Sequence, residues 1–379
     1  MDFILTEEQE MIRQAARDFA RTELLPGVTE RDEKAIAPTE QLMKMKELGF
    51  MSMMVSPEFG GEGMDTVSYA IAIEELSKID AAASVVMSIQ NSLVNWGLEK
   101  YGTKEQKEKY LLPMTKGKEI GAFALSEPEA GSDATKQSTT AVDKGDYYLL
   151  NGTKNWISNA SEANFFLVIA QTDVEKRHKG INAFIVEKQW DGFKLGVMEN
   201  KMGLRASHTH SIMFTDIKVP KANRIGEDGF GFNFAMQCLN GGRIGIAAQA
   251  VGIAQGALDL AIQYSKERKS FGKLISEHQA IAFKLADMEA RVQAARLLVY
   301  KAAWLKDEHK NYNKESAIAK LFAAETAMYV TTEAVQIHGG YGYVKEYHVE
   351  RLMREAKLTQ IYEGTSEIQK IVISRELLK

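Results

Sequence analysis

Glu363 and Gly364, in the segment IYEGTSEIQ (361–369), stand just before a helix that starts near Ser366, on a loop that packed helices can aim at a ligand. A carboxylate so placed can serve as a general base, and the glycine beside it leaves room for backbone or substrate to come close. A lone glutamate at a helix start is otherwise a solvated or capping residue. Four more glycine-rich polar segments have the same character: FALSEPEAGSD (123–133), NWISNA (155–160), RKSFGK (268–273) and QIHGGYGY (336–343). Each has a plain structural reading when taken alone. Pro128 and Gly131 turn the chain, Trp156 fills a core, Arg268 is a solvated charge and Gly339 caps a helix.

Other chemistries find no support. There is no G-x-x-x-x-G-K-[ST], and neither GFGF (229–232) nor GGYGY (339–343) has the spacing of a dinucleotide fingerprint after a strand. H-E-x-x-H is absent, and His208 and His210 make a poor metal pair, so no metal is expected. Neither G-x-S-x-G nor a cysteine-nucleophile context occurs.

The elements that must position these segments follow from composition and period. The chain has 379 residues, enough for two or three domains, and its 47 Lys+Arg against 51 Asp+Glu give no basic footprint for nucleic acid. A single cysteine, Cys238, excludes an intrachain disulfide and fits a reducing compartment, so the cytoplasm is the expected location, or the mitochondrial matrix for a processed organellar form. The start, MDFILTEEQEMIRQ, reads without a leader, and no run of about 20 uncharged apolar residues predicts a membrane span.

From 1 to about 122 the pattern is helical, with capping boxes at Thr6/Gln9 and Thr103/Gln106 and a looser start at Thr66. Ile12, Ala15, Ala16 and Phe19 share one side of a helix over about 6–22, and a helix over about 39–48 stops at Gly49. Between 123 and about 225 short β runs take over: FFLVIA (165–170), INAFIVEK (181–188) and HSIMFTDIKV (210–219), with an Asn151-Gly152 hairpin signal. No helical pattern separates them, which predicts an antiparallel sheet. After Gly231 the helical period returns in the stripe Leu285, Met288, Val292, Ala295, Val299, Ala302, in a second long helix over about 315–337, and in a last helix opened by a Ser366/Gln369 box.

The order and spacing of the five segments, together with this α, β, α zoning, closely resemble the acyl-CoA dehydrogenase family of flavoproteins over essentially the whole chain, nearest its short-chain, butyryl-CoA branch. The resemblance implies an α+β fold with an N-terminal helical domain (1–122), a middle antiparallel β domain (123–230) and a C-terminal four-helix bundle (231–379), with FAD between the last two. It implies α,β-dehydrogenation of a short-chain acyl-CoA to the trans-2-enoyl-CoA. Glu363 is the implied base, hydride goes to flavin N5, and electrons pass to an electron-transferring flavoprotein. A homotetramer built as a dimer of dimers is expected.

By the same matching, Phe123, Leu125, Ser126, Trp156, Ile157 and Ser158 face the flavin. Arg268, Phe271 and Gln279, with Gln336, Gly339 and Gly340, contact the dinucleotide, several of them from a neighbouring subunit, and Thr365 and Glu367 add contacts at a helix start. Ser132, Asn240 and Arg243 are implied to touch the CoA arm; Asn240 replaces an aspartate common in the family. Ile246, Gln249 and Thr359 match acyl-pocket walls, with polar Gln249 and Thr359 capping a short apolar tunnel, and Gly364 is a further implied substrate contact. The alternative base position of one branch is Gly242 here, and residues 81–98 hold no Lys or Arg for a dicarboxylic substrate. Glu199 matches a docking position for the electron acceptor. Two other readings stay open: a non-catalytic acyl-CoA-binding protein of the same fold, and an oxidase-like member using O₂.

Overall fold

The computed structural model describes residues 4–379; Met1, Asp2 and Phe3, the first of the residues read for a leader, lie outside the described residues. Helices fill the chain up to Thr115: α1 (Glu7–Phe19), α2 (Val28–Lys34), α3 (Thr39–Glu47), α4 (Thr66–Ser77), α5 (Ala81–Ser88), α6 (Trp96–Tyr101), α7 (Lys104–Gln106) and α8 (Leu112–Thr115). Thr6 caps α1 reciprocally with Gln9, at 3.2 and 3.1 Å, and Thr103 does the same with Gln106 at the start of α7. α1 widens into a π-type stretch, Ala20–Leu24, and buries Ile12, Ala16 and Phe19, whereas Ala15 faces solvent. α3 ends before Gly49, whose φ of 76° suits the reversal.

Strands run from Gly121 to Ile225: β1 (Gly121–Ala124), β2 (Thr140–Asp143), β3 (Tyr147–Ser158), β4 (Phe165–Gln171), β5 (Ile181–Glu187), β6 (Phe193–Met198), β7 (Thr209–Pro220) and β8 (Arg224–Ile225). They form one sheet in the order β6-β7-β3-β2-β4-β5-β8, with β1 also paired to β4. The expectation of a purely antiparallel sheet is corrected: β1 and β4 run parallel, as do β2 and β4 at Thr140 and Gln171. The long irregular crossover 125–139 makes this possible, because it returns the chain without a hairpin. β4 is buried along its whole length, so it reads as a continuous apolar run. Phe165, Leu167 and Ile169 join the helical core, and Phe166, Val168 and Ala170 join a second core on the opposite face.

Asn151-Gly152 is not a hairpin. Both residues lie inside β3 at a register shift against β7, and a Cβ on Gly152 would fall 2.6 Å from the Thr139 Cα, so the glycine marks a bulge and a close approach. The β2–β3 turn is instead at Lys144–Asp146, with Gly145 at φ 89°.

The last segment is helical again: α9 (Gly231–Glu267), α10 (Gln279–Asp307), α11 (Asn313–His338), α12 (His348–Thr359) and α13 (Ser366–Leu377). α9 through α12 pack as a bundle, α13 lies on α11, and α4 lies along α9. That α4–α9 approach requires small residues, since a Cβ on Gly252 or Gly256 would come within 2.3 Å of the Glu74 or Lys78 carbonyl oxygen. Two expected helix starts shift by one residue. Asp65, not Thr66, caps α4, and Thr365, not Ser366, caps α13, each extended and accepting from the N–H three residues on. The stripe from Met288 to Ala302 is buried inside this chain, with Leu285 half-buried at its edge. It therefore serves the intrachain bundle, not a contact between chains. Among the described residues α9 alone is long and apolar enough to cross a membrane, and 83% of its most apolar window is buried in the fold.

Candidate active site

The turn between α12 and α13 holds Glu363 at φ 54° and Gly364 at φ 88°, both left-handed. That backbone costs a glutamate about 1–2 kcal/mol, so its surroundings must impose it. They do. Gln369 Nε2, one turn into α13, donates to the Glu363 carbonyl at 3.0 Å and to the Gly364 carbonyl at 2.8 Å, and Lys320 Nζ from α11 donates to the Gly364 carbonyl at 2.7 Å. Because Thr365 takes the capping role, the Gln369 amide is free for this task.

The Glu363 side chain points back toward α9, where a Cβ on Gly242 would sit 3.0 Å from Glu363 Oε2. Gly242 is thus both the alternative base position and the space that the present carboxylate uses. Oε2 is sealed from solvent without a hydrogen-bond partner. Burial pushes this carboxyl up to about 7, against the opposing pull of the Arg243 and Lys320 charges. Arg243 is itself 5% exposed, donates from Nη1 to Asn240 Oδ1 at 2.8 Å, and leaves its Nε unpartnered. Asn240 in turn donates to Asn313 Oδ1 at 2.7 Å, so the amide keeps a hydrogen bond to Arg243 but supplies no charge to it.

Glu363 opens onto a cleft of about 1130 Å³ between the sheet and the bundle. Of the predicted residues, Phe123, Leu125, Ser126, Ser132, Trp156, Ile157, Ser158, Glu199, Arg243, Ile246, Gly364 and Thr365 line it as well. Val85, Ile89 and Leu93, with Ile246 and Tyr362, form its apolar inner wall. Val85, Ile89 and Leu93 come from α5 and the π-type stretch that follows it, Ile89–Asn95, whose uncharged sequence is their one signal.

Gln249 and Thr359 do not reach the cleft surface directly. Both are fully buried one layer behind the cleft lining, with their polar groups bonded inside the fold: Gln249 Nε2 donates to the Ala81 carbonyl at 2.9 Å and to Ser84 Oγ at 3.1 Å, and its Oε1 accepts from the Tyr362 hydroxyl. The Thr359 hydroxyl donates to the Ala356 carbonyl at 2.7 Å. Gln249 acts from behind, fixing Tyr362 against the pocket. Glu367 also lies outside, exposed on the first turn of α13.

The wall that carries Leu125, Ser126, Ile157 and Ser158 rests on a buried ion pair. Lys154 Nζ lies 2.7 Å from Glu127 Oε1, both side chains fully buried, and Lys154 also donates to the Leu125 carbonyl at 3.0 Å and to Gln137. Glu127 accepts from the Ser138 and Thr139 N–H groups. Burial pushes the Glu127 carboxyl up, but Lys154 and the Ser138 donors outweigh it and hold it down to about 2. Next to this support Trp156 stands at φ 62°, 61% exposed, on the cleft wall instead of in a core.

The remaining cofactor candidates are not brought to the cleft. Arg268, Phe271, Gln279, Gln336, Gly339 and Gly340 are all exposed, and Arg268 lies about 25 residues beyond Arg243, ~37 Å along α9. They form a second group at the far end of the bundle, where the Arg268 guanidinium sits 5.5 Å from the Tyr341 ring centroid and Phe271 is 95% exposed. His208 and His210 are occupied otherwise, His208 with Glu162 at 2.9 Å and His210 with the Gly196 carbonyl at 3.0 Å, and no metal cluster occurs among the described residues.

Comparison with known proteins agrees with this geometry. The sequence matches profiles described as acyl-CoA dehydrogenase N-terminal domain over residues 6–118, middle domain over 122–217 and C-terminal domain over 229–378. A short-chain-specific acyl-CoA dehydrogenase of Clostridium acetobutylicum is 51% identical over 379 residues, covering 100% of both chains. The caffeyl-CoA reductase-Etf complex subunit CarC of Acetobacterium woodii is 50% identical over 375 residues, covering 99% of each. Among solved structures, butyryl-CoA dehydrogenase of Megasphaera elsdenii superposes with a TM-score of 0.98 at 48% identity, over 100% of both chains. With all three domains present in order, and with a relative 51% identical from end to end, this chain belongs to the acyl-CoA dehydrogenase family.

Proposed function

We propose that this enzyme dehydrogenates a short-chain acyl-CoA between its α and β carbons and that Glu363 takes the α proton. The observation that carries this reading is the Glu363 carboxyl itself: held on a left-handed turn, with Oε2 unpartnered, at the apolar end of the cleft. FAD is the cofactor, and once bound in the cleft it would supply the hydride acceptor for the β carbon. The cleft fits such a pair of ligands. Its volume exceeds what a small acyl group needs, and exposed Trp156 with the hydroxyls of Ser126, Ser158 and Thr365 gives an aromatic face and polar donors.

The chain's own residues perform the remaining tasks. Val85, Ile89, Leu93, Ile246 and Tyr362 exclude water from the acyl group and set a short pocket. Proton transfer turns a buried carboxylate into a neutral acid, the form that an apolar site favours. Arg243 keeps enough of the carboxylate ionised at neutral pH to act. The Glu363 N–H is the donor assigned to the thioester oxygen, where negative charge develops. Turnover of saturated acyl-CoAs of increasing length tests the pocket: butyryl-CoA is expected to be the best substrate, and a maximum at long chains contradicts the reading.

The pH dependence follows from Glu363. Burial pushes its carboxyl up to about 7, and it must be ionised to act. Activity as kcat/KM is therefore expected to rise with pH to a plateau above 7 and to fall ~10-fold per unit well below it. A flat profile from pH 5 to 8, measured at about those limits, is the contrary result.

Electrons leave to an electron-transferring flavoprotein, and we assign Glu199 on the cleft rim to its docking. Glu199→Lys is expected to slow reduction of that partner, most at low salt, and to leave the half-reaction with acyl-CoA unchanged. Unchanged partner reduction in stopped flow at low ionic strength removes Glu199 from the docking surface. The exposed group around Arg268 and Gly339 completes the FAD site of a neighbouring subunit in a homotetramer. The name of the Acetobacterium relative favours a second reading, in which the same site runs in reverse and reduces an enoyl-CoA. Net flux with the partner held reduced or oxidised distinguishes the two directions.

A further inference from the structure

Lys320 is a lysine in the wrong place for a surface charge. It lies on α11 among Ser316, Ala323, Ala324 and Ala327, all buried, and is itself 0% exposed. Burying an ammonium is costly unless something specific is gained. Among the described residues Lys320 forms no ion pair; its hydrogen bond is to the carbonyl of Gly364 at 2.7 Å. Gln369 Nε2 reaches the same oxygen at 2.8 Å and the Glu363 carbonyl at 3.0 Å. Two donors from two helices thus converge on the only two residues of this turn with left-handed backbone, Glu363 and Gly364.

We propose that Lys320 is the positioning residue for the base: its buried ammonium, with the Gln369 amide, clamps the Glu363-Gly364 turn so that the carboxyl stands over Gly242 beside a fixed positive charge. This rests on Glu363 being the base. The clamp accounts for three features together: a buried ammonium hydrogen-bonded to a backbone carbonyl and not ion-paired within 4.0 Å among the described residues, a strained non-glycine backbone, and a carboxylate oxygen sealed from solvent yet unpartnered.

The groups that face Glu363 can be named from every side. Arg243 and Cys238 come from α9, Lys320 from α11, Tyr69 from α4 and Tyr362 from the adjacent loop position. Burial pushes the Cys238 thiol and both phenols up, so these stay neutral across the working range, and Arg243 and Lys320 are left as the charges that matter. Burial, helped by the nearby Arg243 charge, also brings Lys320 down to about 8 against the opposing pull of Glu363, Glu325 and Glu367, so its own charge fades just above the pH at which Glu363 ionises.

Lys320→Met removes donor and charge; Lys320→Gln keeps a donor and loses the charge; Gln369→Leu removes the other donor and keeps the charge. On FAD-loaded enzyme with butyryl-CoA, both Lys320 variants are expected to move the pH midpoint of kcat/KM upward by about one unit, a ~10-fold loss at pH values below it, with KM little changed. Part of the loss should return at higher pH in Lys320→Gln. Gln369→Leu should lower kcat at every pH without moving the midpoint. A second readout is the pH dependence of melting temperature, in which the Glu363 ionisation should move upward by the same amount and which does not need bound FAD. A wild-type midpoint in both Lys320 variants overturns the proposal, whether their activity is normal or uniformly lowered. If Lys320→Met does not fold, Lys320→Gln decides by the same criterion. The underlying reading is tested apart from this, because an active Glu363→Gln enzyme removes the base whatever Lys320 does.

Discussion

Glu363→Gln is expected to bind FAD nearly as well as the wild-type enzyme and to turn over butyryl-CoA at less than ~1% of its rate, a loss of at least ~2.7 kcal/mol of transition-state stabilisation. The amide is nearly isosteric, so the contact with Gly242 and the turn held by Lys320 and Gln369 survive. What disappears is the proposed proton acceptor. A second consequence has the opposite sign. The folded carboxyl titrates near 7, above its ordinary 4.5, so the native state binds more protons than the unfolded chain between those values. Stability that is present below pH 4.5 is therefore lost as pH rises toward 7, and the glutamine variant escapes that loss. It should melt higher than wild type at pH 8 and equally at pH 4.5. Activity well above 1% in steady-state assay, or a variant less stable at pH 8, contradicts the assignment.

The other large effect is structural. Glu127→Ala leaves the Lys154 ammonium buried without its counter-ion and strips two backbone donors of their acceptor. Breaking one side of such a pair costs ~3–5 kcal/mol, whereas removing both charges together costs much less. Urea unfolding should show that loss for Glu127→Ala and a recovery in Glu127→Leu combined with Lys154→Met. FAD occupancy should fall with the single substitution, because Lys154 also holds the Leu125 carbonyl in the cleft wall. The Glu127 carboxylate is held down to about 2, so its contribution is present above pH 4.5 and fades as pH drops toward 2. An unchanged urea midpoint in Glu127→Ala would falsify this role.

Much of this architecture could be read from periodicity. β4 and β5 are legible as buried apolar runs, and the 3,4 stripe of α10 is legible as a packed face, because those patterns are set by burial alone. What sequence could not show is where non-local partners fall. Asn151-Gly152 carries a local hairpin signal, yet the need for glycine there comes from Thr139, which approaches from another strand. The parallel pairing of β1 depends on a crossover that has no periodic pattern. Gln249 and Thr359 are legible as residues near the acyl end, but the partners of their polar groups, Ala81, Ser84, Tyr362 and Ala356, are visible only in the fold.

The site shows the same division. Glu363 stands out because its motif is local and continuous. Lys320 and Lys154 do not, since a buried lysine looks like a solvated one until its neighbours are known; the one available signal was that Lys320 sits on the alanine face of SAIAKLFAAETA. The cluster around Arg268 is legible as a motif and lies far from Glu363 within one chain, the arrangement expected where a second subunit completes a site.

The most direct test of the central claim is a single anaerobic mixing of the FAD-loaded enzyme with butyryl-CoA, following the absorption band of the oxidised flavin. Rapid bleaching, with one enoyl-CoA formed per flavin and none in Glu363→Gln, is the predicted result. A wild-type flavin that stays oxidised with butyryl-CoA and with every other saturated acyl-CoA would contradict the account.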